Sequence, residues 1–198
     1  MNLLTGLTIC LFLLPSLVIA QEQTLMTTRG ALLFEDDFAR PELKPKWNVG
    51  LGLWEIKDGV ATAAEKPEDR HGAYAFITPN TTYKEVIAEF DFKMNGASDL
   101  VLNMREMGFK GSQAGHILRV SIMQNKVQVA GDELLFVVDG KPVAYLKSSG
   151  VDHPTKNMLG FTIAGKGIKT ASIKNPKFWR ATPNPEWVKQ RVEVLADC

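Results

Sequence analysis

Residues 32–59 read LLFEDDFARPELKPKWNVGLGLWEIKDG, and this stretch decides the fold. An apolar run closes on Asp36-Asp37-Phe38, a Pro-broken connection leads to Trp47, and Trp54-Glu55-Ile56 runs into Asp58-Gly59. Aromatic and aliphatic residues alternating with polar ones up to an Asp-Gly pair are the strongest short-range signal of a β-hairpin. The pair therefore predicts a hairpin over residues 54–63.

The same grammar continues on both sides. Residues 21–30 read as a polar leader, and from Ala31 onward short alternating segments are separated by turn signals, the pattern of an all-β sandwich. Residues 73–78 form one strand. In residues 86–94, Val86, Ala88, Phe90, Phe92 and Met94 share one face, and Ile87, Glu89, Asp91 and Lys93 share the other. Asn95-Gly96 turns the chain into residues 99–105, where Leu100, Leu102 and Met104 point inward and Asn103 and Arg105 outward. Residues 117–123 and 126–130 read as a pair about Gln124-Asn125, and residues 134–138 and 141–146 as a hairpin about Asp139-Gly140. Residues 159–164 and 168–173 flank Gly165-Lys166-Gly167. At the end, Asn184 and Pro185 are a helix cap and first-turn residue, and Val188, Val192 and Leu195 follow at helical spacing. The expected architecture is a two-sheet antiparallel sandwich over residues 31–180 and a C-terminal tail, 181–198, holding a short helix.

Residues 1–20 carry no charge and are apolar through most of 7–20, with Val18-Ile19-Ala20 at the positions a signal peptidase reads. A signal peptide cleaved before Gln21 is expected. Pro15 and the lack of a basic flank argue against a retained membrane anchor. The expected compartment is extracellular, periplasmic or cell-envelope. Roughly 180 residues then remain, enough for one core. The formal charge of +1 offers no electrostatic case for nucleic acid or an anionic membrane. Of the two cysteines only Cys198 lies outside the signal, so stability rests on the core rather than on disulfides.

The order of signals resembles a known family. It comprises Phe34-x-Asp36-Asp37-Phe38, Trp47, Trp54-x-Ile56-x-Asp58-Gly59-Val60, residues 83–92 (YKEVIAEFDF), residues 138–141 (VDGK) and residues 159–165 (LGFTIAG). Together they are similar to the 3-keto-disaccharide hydrolase domain family of the concanavalin A-like lectin/glucanase superfamily. The resemblance covers residues 32–179. It implies a concanavalin A-like jelly roll with a concave polar sheet, and cleavage of oxidised glycosides by hydrolysis or elimination. Family members carry a further strand before the Asp-Gly hairpin, whereas here only Gly131-Asp132-Glu133 separates Ala130 from Leu134.

Candidate chemistry follows from the outward positions. Glu89 and Asp91 stand about 7 Å apart along one strand face, within reach of the roughly 5–5.5 Å carboxyl spacing of a retaining glycosidase. Laminarinase-like relatives in the superfamily carry Glu-x-Asp-x-x-Glu on such a strand. Here the last position is Met94, so an ordinary β-glucanase is rejected. Asn103 and Arg105 extend a polar platform beside Glu89 and Asp91, and Arg119, with Ser121, prolongs it. Arginine forks and amides suit sugar hydroxyls. His116 is the candidate acid/base and Trp179 the candidate stacking platform. Each of these residues equally suits a plain solvated face. His71, His116 and His153 form no metal-ligand pattern, Asp36-Asp37 reads as a turn rather than a calcium site, and no phosphate loop, nucleotide fingerprint or Gly-x-Ser-x-Gly elbow occurs. Neither metal nor cofactor is expected. Two readings stand: a secreted hydrolase or lyase of keto-glycosides, and a non-catalytic glycan-binding or cell-envelope module. Both take carbohydrate as the partner.

Overall fold

The computed structural model describes residues 25–69, 71–105, 115–120, 124–130, 133–138, 141–147, 155–165 and 169–187. The strands are β1 (Thr27–Glu35), β2 (Asn48–Leu51), β3 (Leu53–Lys57), β4 (Val60–Ala64), β5 (Ala73–Ile77), β6 (Val86–Asn95), β7 (Asp99–Arg105), β8 (Gly115–Val120), β9 (Gln124–Ala130), β10 (Glu133–Val138), β11 (Lys141–Lys147), β12 (Met158–Ala164) and β13 (Thr170–Pro183). They form two antiparallel sheets. The larger has eight strands in the order β11-β10-β9-β6-β13-β4-β3, with β1 also paired to β13, and the smaller has five in the order β2-β5-β12-β7-β8. This is the expected all-β jelly-roll sandwich.

Strand β13 organises the large sheet. Its first half pairs with β4, its second half pairs with β1, and β6 runs along its other edge. Between the sheets lie alternate residues of facing strands: Val86, Ala88, Phe90 and Phe92 from β6, Leu100, Leu102 and Met104 from β7, Phe161 from β12 and Phe178 from β13, each under a tenth exposed. Phe161 meets Phe90 edge-on at 4.9 Å and lies 6.1 Å from Phe178, so one ring knits three strands.

The opening stretch behaves as its composition demands. Asp58 and Gly59 have φ of 51° and 73°, the pair of positive angles a type I′ turn needs, and β3 and β4 pair across them. The Asp36 side chain is fully buried. It accepts two hydrogen bonds from Arg40 at 2.7 Å each, one from Trp47 Nε1 at 2.7 Å, and one from the Phe38 amide at 3.1 Å. Burial raises its pKa, but those hydrogen bonds and the Arg40 charge outweigh it and hold the value at about 2. The same bonds hold Phe38 at φ 52°, a costly angle for a non-glycine residue, and its ring reaches the core. Asp36 therefore shapes the turn into Phe38.

The chain crosses between sheets repeatedly, and one crossing takes a single residue. Gly52 joins β2 of the small sheet to β3 of the large one at φ 82°, where a Cβ would lie 2.3 Å from that of Ala73. Another crossing follows Asn95-Gly96, between β6 and β7.

Two expectations change. Residues 117–123 and 126–130 do not pair, because β8 is the edge of the small sheet and β9 belongs to the large one. Strand β9 pairs instead with β10 across the short 131–132 link, and β10 with β11, giving a three-strand meander. The segment read as a polar leader is partly structural: β1 begins at Thr27 and Met26 is buried against Leu135, Val137 and Trp187. At the other end, Asn184 Oδ1 accepts from the Glu186 amide at 3.0 Å, the expected capping bond. The helix expected after it, like the signal segment, lies outside the described residues.

Candidate functional site

A cleft of about 370 Å³ opens on the outer face of the small sheet. Alternation builds it. With Leu159, Phe161 and Ile163 of β12 turned into the core, Met158, Gly160, Thr162 and Ala164 turn out. By the same rule β5 presents Tyr74 and Phe76, and β7 presents Asp99, Val101, Asn103 and Arg105. Antiparallel register aligns these positions into cross-strand rows. Leu51, Tyr74, Thr162 and Val101 make one row, and Asn48, Phe76, Gly160 and Asn103 the next. Gly160 belongs there because a Cβ would sit 2.4 Å from the Ala75 carbonyl oxygen and 2.7 Å from Phe76 Cα.

The side chains of these rows are oriented by one another. Tyr74 and Phe76 are stacked, centroids 5.2 Å apart and planes 25° apart, and both are half-buried. The Asn103 amide nitrogen donates to Thr162 Oγ1 at 2.9 Å, and Asn103 lines the cleft while being only 4% exposed. Arg105 donates to the Tyr74 hydroxyl oxygen at 2.7 Å and through Nε to Met158 Sδ at 3.2 Å; the Tyr74 hydroxyl in turn donates to Met158 Sδ at 3.1 Å. Burial raises the Tyr74 pKa and Arg105 only partly opposes it, so the hydroxyl stays protonated as a donor. Asp99 and His71 line the far end.

Sequence-predicted residues divide between two sides of the molecule. Asn103 and Arg105 line the cleft. Glu89 and Asp91 do not, because β6 lies in the other sheet and its outward face points away from the opposite side of the sandwich. The expected single platform of Glu89, Asp91, Asn103 and Arg105 is therefore corrected. Crossing between sheets reverses the direction in which an outward residue points. Glu89 is paired with Arg29 at 2.6 Å, and Asp91 accepts from Asn175 Nδ2 at 3.1 Å. Trp179, expected as an exposed platform, is 9% exposed, packed with Ile87 and Ala181 and covered by the Arg29 guanidinium 4.0 Å from its ring centroid. Register puts Arg119 opposite Val101 of the cleft floor and His116 opposite the core residue Met104; their side chains are outside the described ones. His153 lies outside them altogether.

Tyr74, Phe76, Thr162 and Met158 were not singled out from sequence. Their signal was present in residues 73–77, AYAFI, where the two large rings alternate with Ala73, Ala75 and Ile77. Aromatics on one face and alanines on the other suggest a core of rings, but the packed face is the one with the small residues. Among the described residues no three His, Cys, Asp or Glu side chains gather into a group able to hold a metal ion.

No family profile matches this sequence, and no curated protein sequence matches it. Solved structures do match its shape. A Bacillus subtilis protein of unknown function with a galectin-like fold aligns with TM-score 0.57 and 12% identity over 80% of this chain and 100% of that one. The laminarinase of Rhodothermus marinus aligns with TM-score 0.55 and 10% identity over 79% and 99%. The GlcNAcα1-4Gal-releasing endo-β-galactosidase of Clostridium perfringens aligns with TM-score 0.55 and 12% identity over 79% and 64%. Likeness at these identities establishes the fold, a jelly roll of the galectin-like and concanavalin A-like kind.

Proposed function

We propose that this protein recognises a saccharide in the cleft on the outer face of its small sheet. The observation that carries the reading is the cleft-lining Tyr74 ring, held by stacking on Phe76, beside the Asn103–Thr162 hydrogen bond and the Arg105 guanidinium. A pyranose ring offers an apolar C–H face and a rim of hydroxyls. An aromatic wall meets the first, and directional amide, hydroxyl and guanidinium groups meet the second. The fold likeness to a laminarinase and an endo-β-galactosidase, both named for glycan substrates, supports carbohydrate as the ligand class.

Recognition is favoured over hydrolysis. Two carboxylates flanking the scissile bond are the usual equipment of a glycosidase, and among the described residues Asp99 alone brings a carboxylate to the cleft lining. One observation favours the second reading, hydrolysis of keto-glycosides, which the resemblance to the 3-keto-disaccharide hydrolase family implies. Asp99 and His71 line the same cleft, a carboxylate and an imidazole able to relay a proton. The proposed site of action is outside the cytoplasm, from the signal-like character of residues 1–20.

Calorimetric titration with a panel of neutral and acidic oligosaccharides, together with a turnover assay on keto-glycosides, tests the reading. Binding without turnover, weakened about tenfold or more by Asn103→Ala, is expected, since that change strips a buried amide from the cleft. Turnover abolished by Asp99→Asn would establish the hydrolase instead. No binding of any glycan would end the proposal.

A further inference from the structure

Arg105 is held in an unusual way for a partly buried arginine. Its Nε and one NH2 hydrogen go to a thioether sulfur and a phenol oxygen, both neutral acceptors, and the first a weak one. Arg29 pairs with Glu89 and Arg40 with Asp36, whereas Arg180, which also donates to neutral oxygens of Thr81 and Thr82, is exposed to water. Arg105 makes no ion pair among the described residues. Asp99, on the same face of β7, is six residues away, or about 20 Å at the strand rise, well beyond the screening length of about 8 Å at physiological salt. The guanidinium is also fixed: Tyr74 and Met158 grip one edge, and the Tyr74 ring lies 5.4 Å from the guanidinium carbon. Among the described residues the two NH1 hydrogens and the second NH2 hydrogen have no acceptor and are left for a ligand.

We propose, resting on the saccharide-binding reading, that this end of the cleft receives an anionic group carried by the glycan, a uronate carboxylate or a sulfate ester. A planar fork with fixed orientation matches two oxygens of either group, and such charge-assisted bonds are about twice as strong as neutral ones. A neutral hydroxyl could use the same hydrogens but would leave the partly desolvated charge uncompensated. The stacked Tyr74–Phe76 wall adjoins the fork, so the ring bearing the anion packs there while its acidic group reaches Arg105.

The test is calorimetric titration of the purified protein with an oligogalacturonate and its methyl ester, and with a sulfated galacto-oligosaccharide and its desulfated form. At least one acidic ligand is expected to bind about tenfold or more tightly than its neutral counterpart, with the advantage fading as salt rises. The preferred pair tells a carboxylate from a sulfate ester. Arg105→Met is expected to bring the acidic ligand down to the affinity of the neutral one, with Arg105→Lys between. The comparison on unaltered protein needs no variant to fold. Equal binding of acidic and neutral forms overturns the anionic assignment and leaves saccharide recognition standing, whereas no binding of any of the four overturns both.

Discussion

The outer faces of the two sheets are made by the same strand alternation from similar residues, yet they do opposite things with them. On the large sheet polar groups are spent on one another. Arg29 covers Trp179 and pairs with Glu89, Asp91 takes the Asn175 amide, and Ile87, Trp179 and Ala181 are sealed beneath. On the small sheet an arginine is gripped by neutral atoms, two half-buried rings stack, and an amide is aligned by a hydroxyl. A face whose charges are internally matched has little left for a ligand. A face whose donors are positioned but unmatched is prepared for one.

The largest effect that would test this contrast is expected at Gly160. A valine there places atoms against the Ala75 carbonyl and the Phe76 backbone, and forced overpacking costs about 1–3 kcal/mol, more for a backbone clash. Denaturant unfolding should show the upper end of that range, and glycan binding should vanish with the Phe76 wall. Retained binding at full affinity would place the ligand elsewhere.

Acid sensitivity should come from neither outer face but from the Asp36 junction. Its carboxylate, ordinarily at 3.8, sits at about 2 in the folded chain. A lowered folded value means the stabilisation is complete above the unfolded pKa and is lost as pH falls from about 4 towards 2. The size is about 1–2 kcal/mol after solvent screening on the Lys46 side. Unfolding free energy measured from pH 6 to 2 should drop through that window, and Asp36→Asn should flatten the drop while lowering stability at neutral pH. An unchanged profile in the variant would assign the acid response to other carboxylates.

Next in size is Tyr74→Ala. Loss of the ring that stacks on Phe76 and anchors Arg105 should weaken glycan binding about tenfold, equivalent to about 1.4 kcal/mol, with a smaller effect on folding because the ring is only half-buried. Calorimetry beside a thermal melt separates the two.

The smallest effect is expected at Glu89. Glu89→Gln breaks a partly exposed ion pair with Arg29, worth under about 1 kcal/mol, and should leave glycan affinity unchanged. A loss of binding or of turnover in this variant would return the large sheet to the functional face.

Much of the fold was legible without coordinates. The Asp58-Gly59 hairpin, the 134–146 hairpin and the inward and outward faces of β6 and β7 follow from turn chemistry and period-two alternation, both properties of neighbouring residues. The functional face was only half legible. Asn103 and Arg105 were recognised as outward-facing, but outward has no single direction in a two-layer sandwich. Whether Glu89 joins Arg105 depends on whether the turn at Asn95-Gly96 returns β7 beside β6 or carries it to the other sheet, and both routes fit the same residues. Trp179 failed for a related reason: an outward tryptophan is exposed until something covers it, and its cover, Arg29, lies 150 positions earlier in the chain.

By itself, then, the sequence determined the strands, the tight turns, the buried alternates and the Asp36-centred junction, because short-range sterics and hydrophobic periodicity govern each of them. Tertiary structure alone decided which outward residues meet, that Tyr74, Thr162 and Met158 converge on Arg105 and Asn103 while Glu89 and Asp91 face the other way. That choice belongs to strand order, set by how the described strands share two sheets around one core, and strand order joins residues that no local pattern relates.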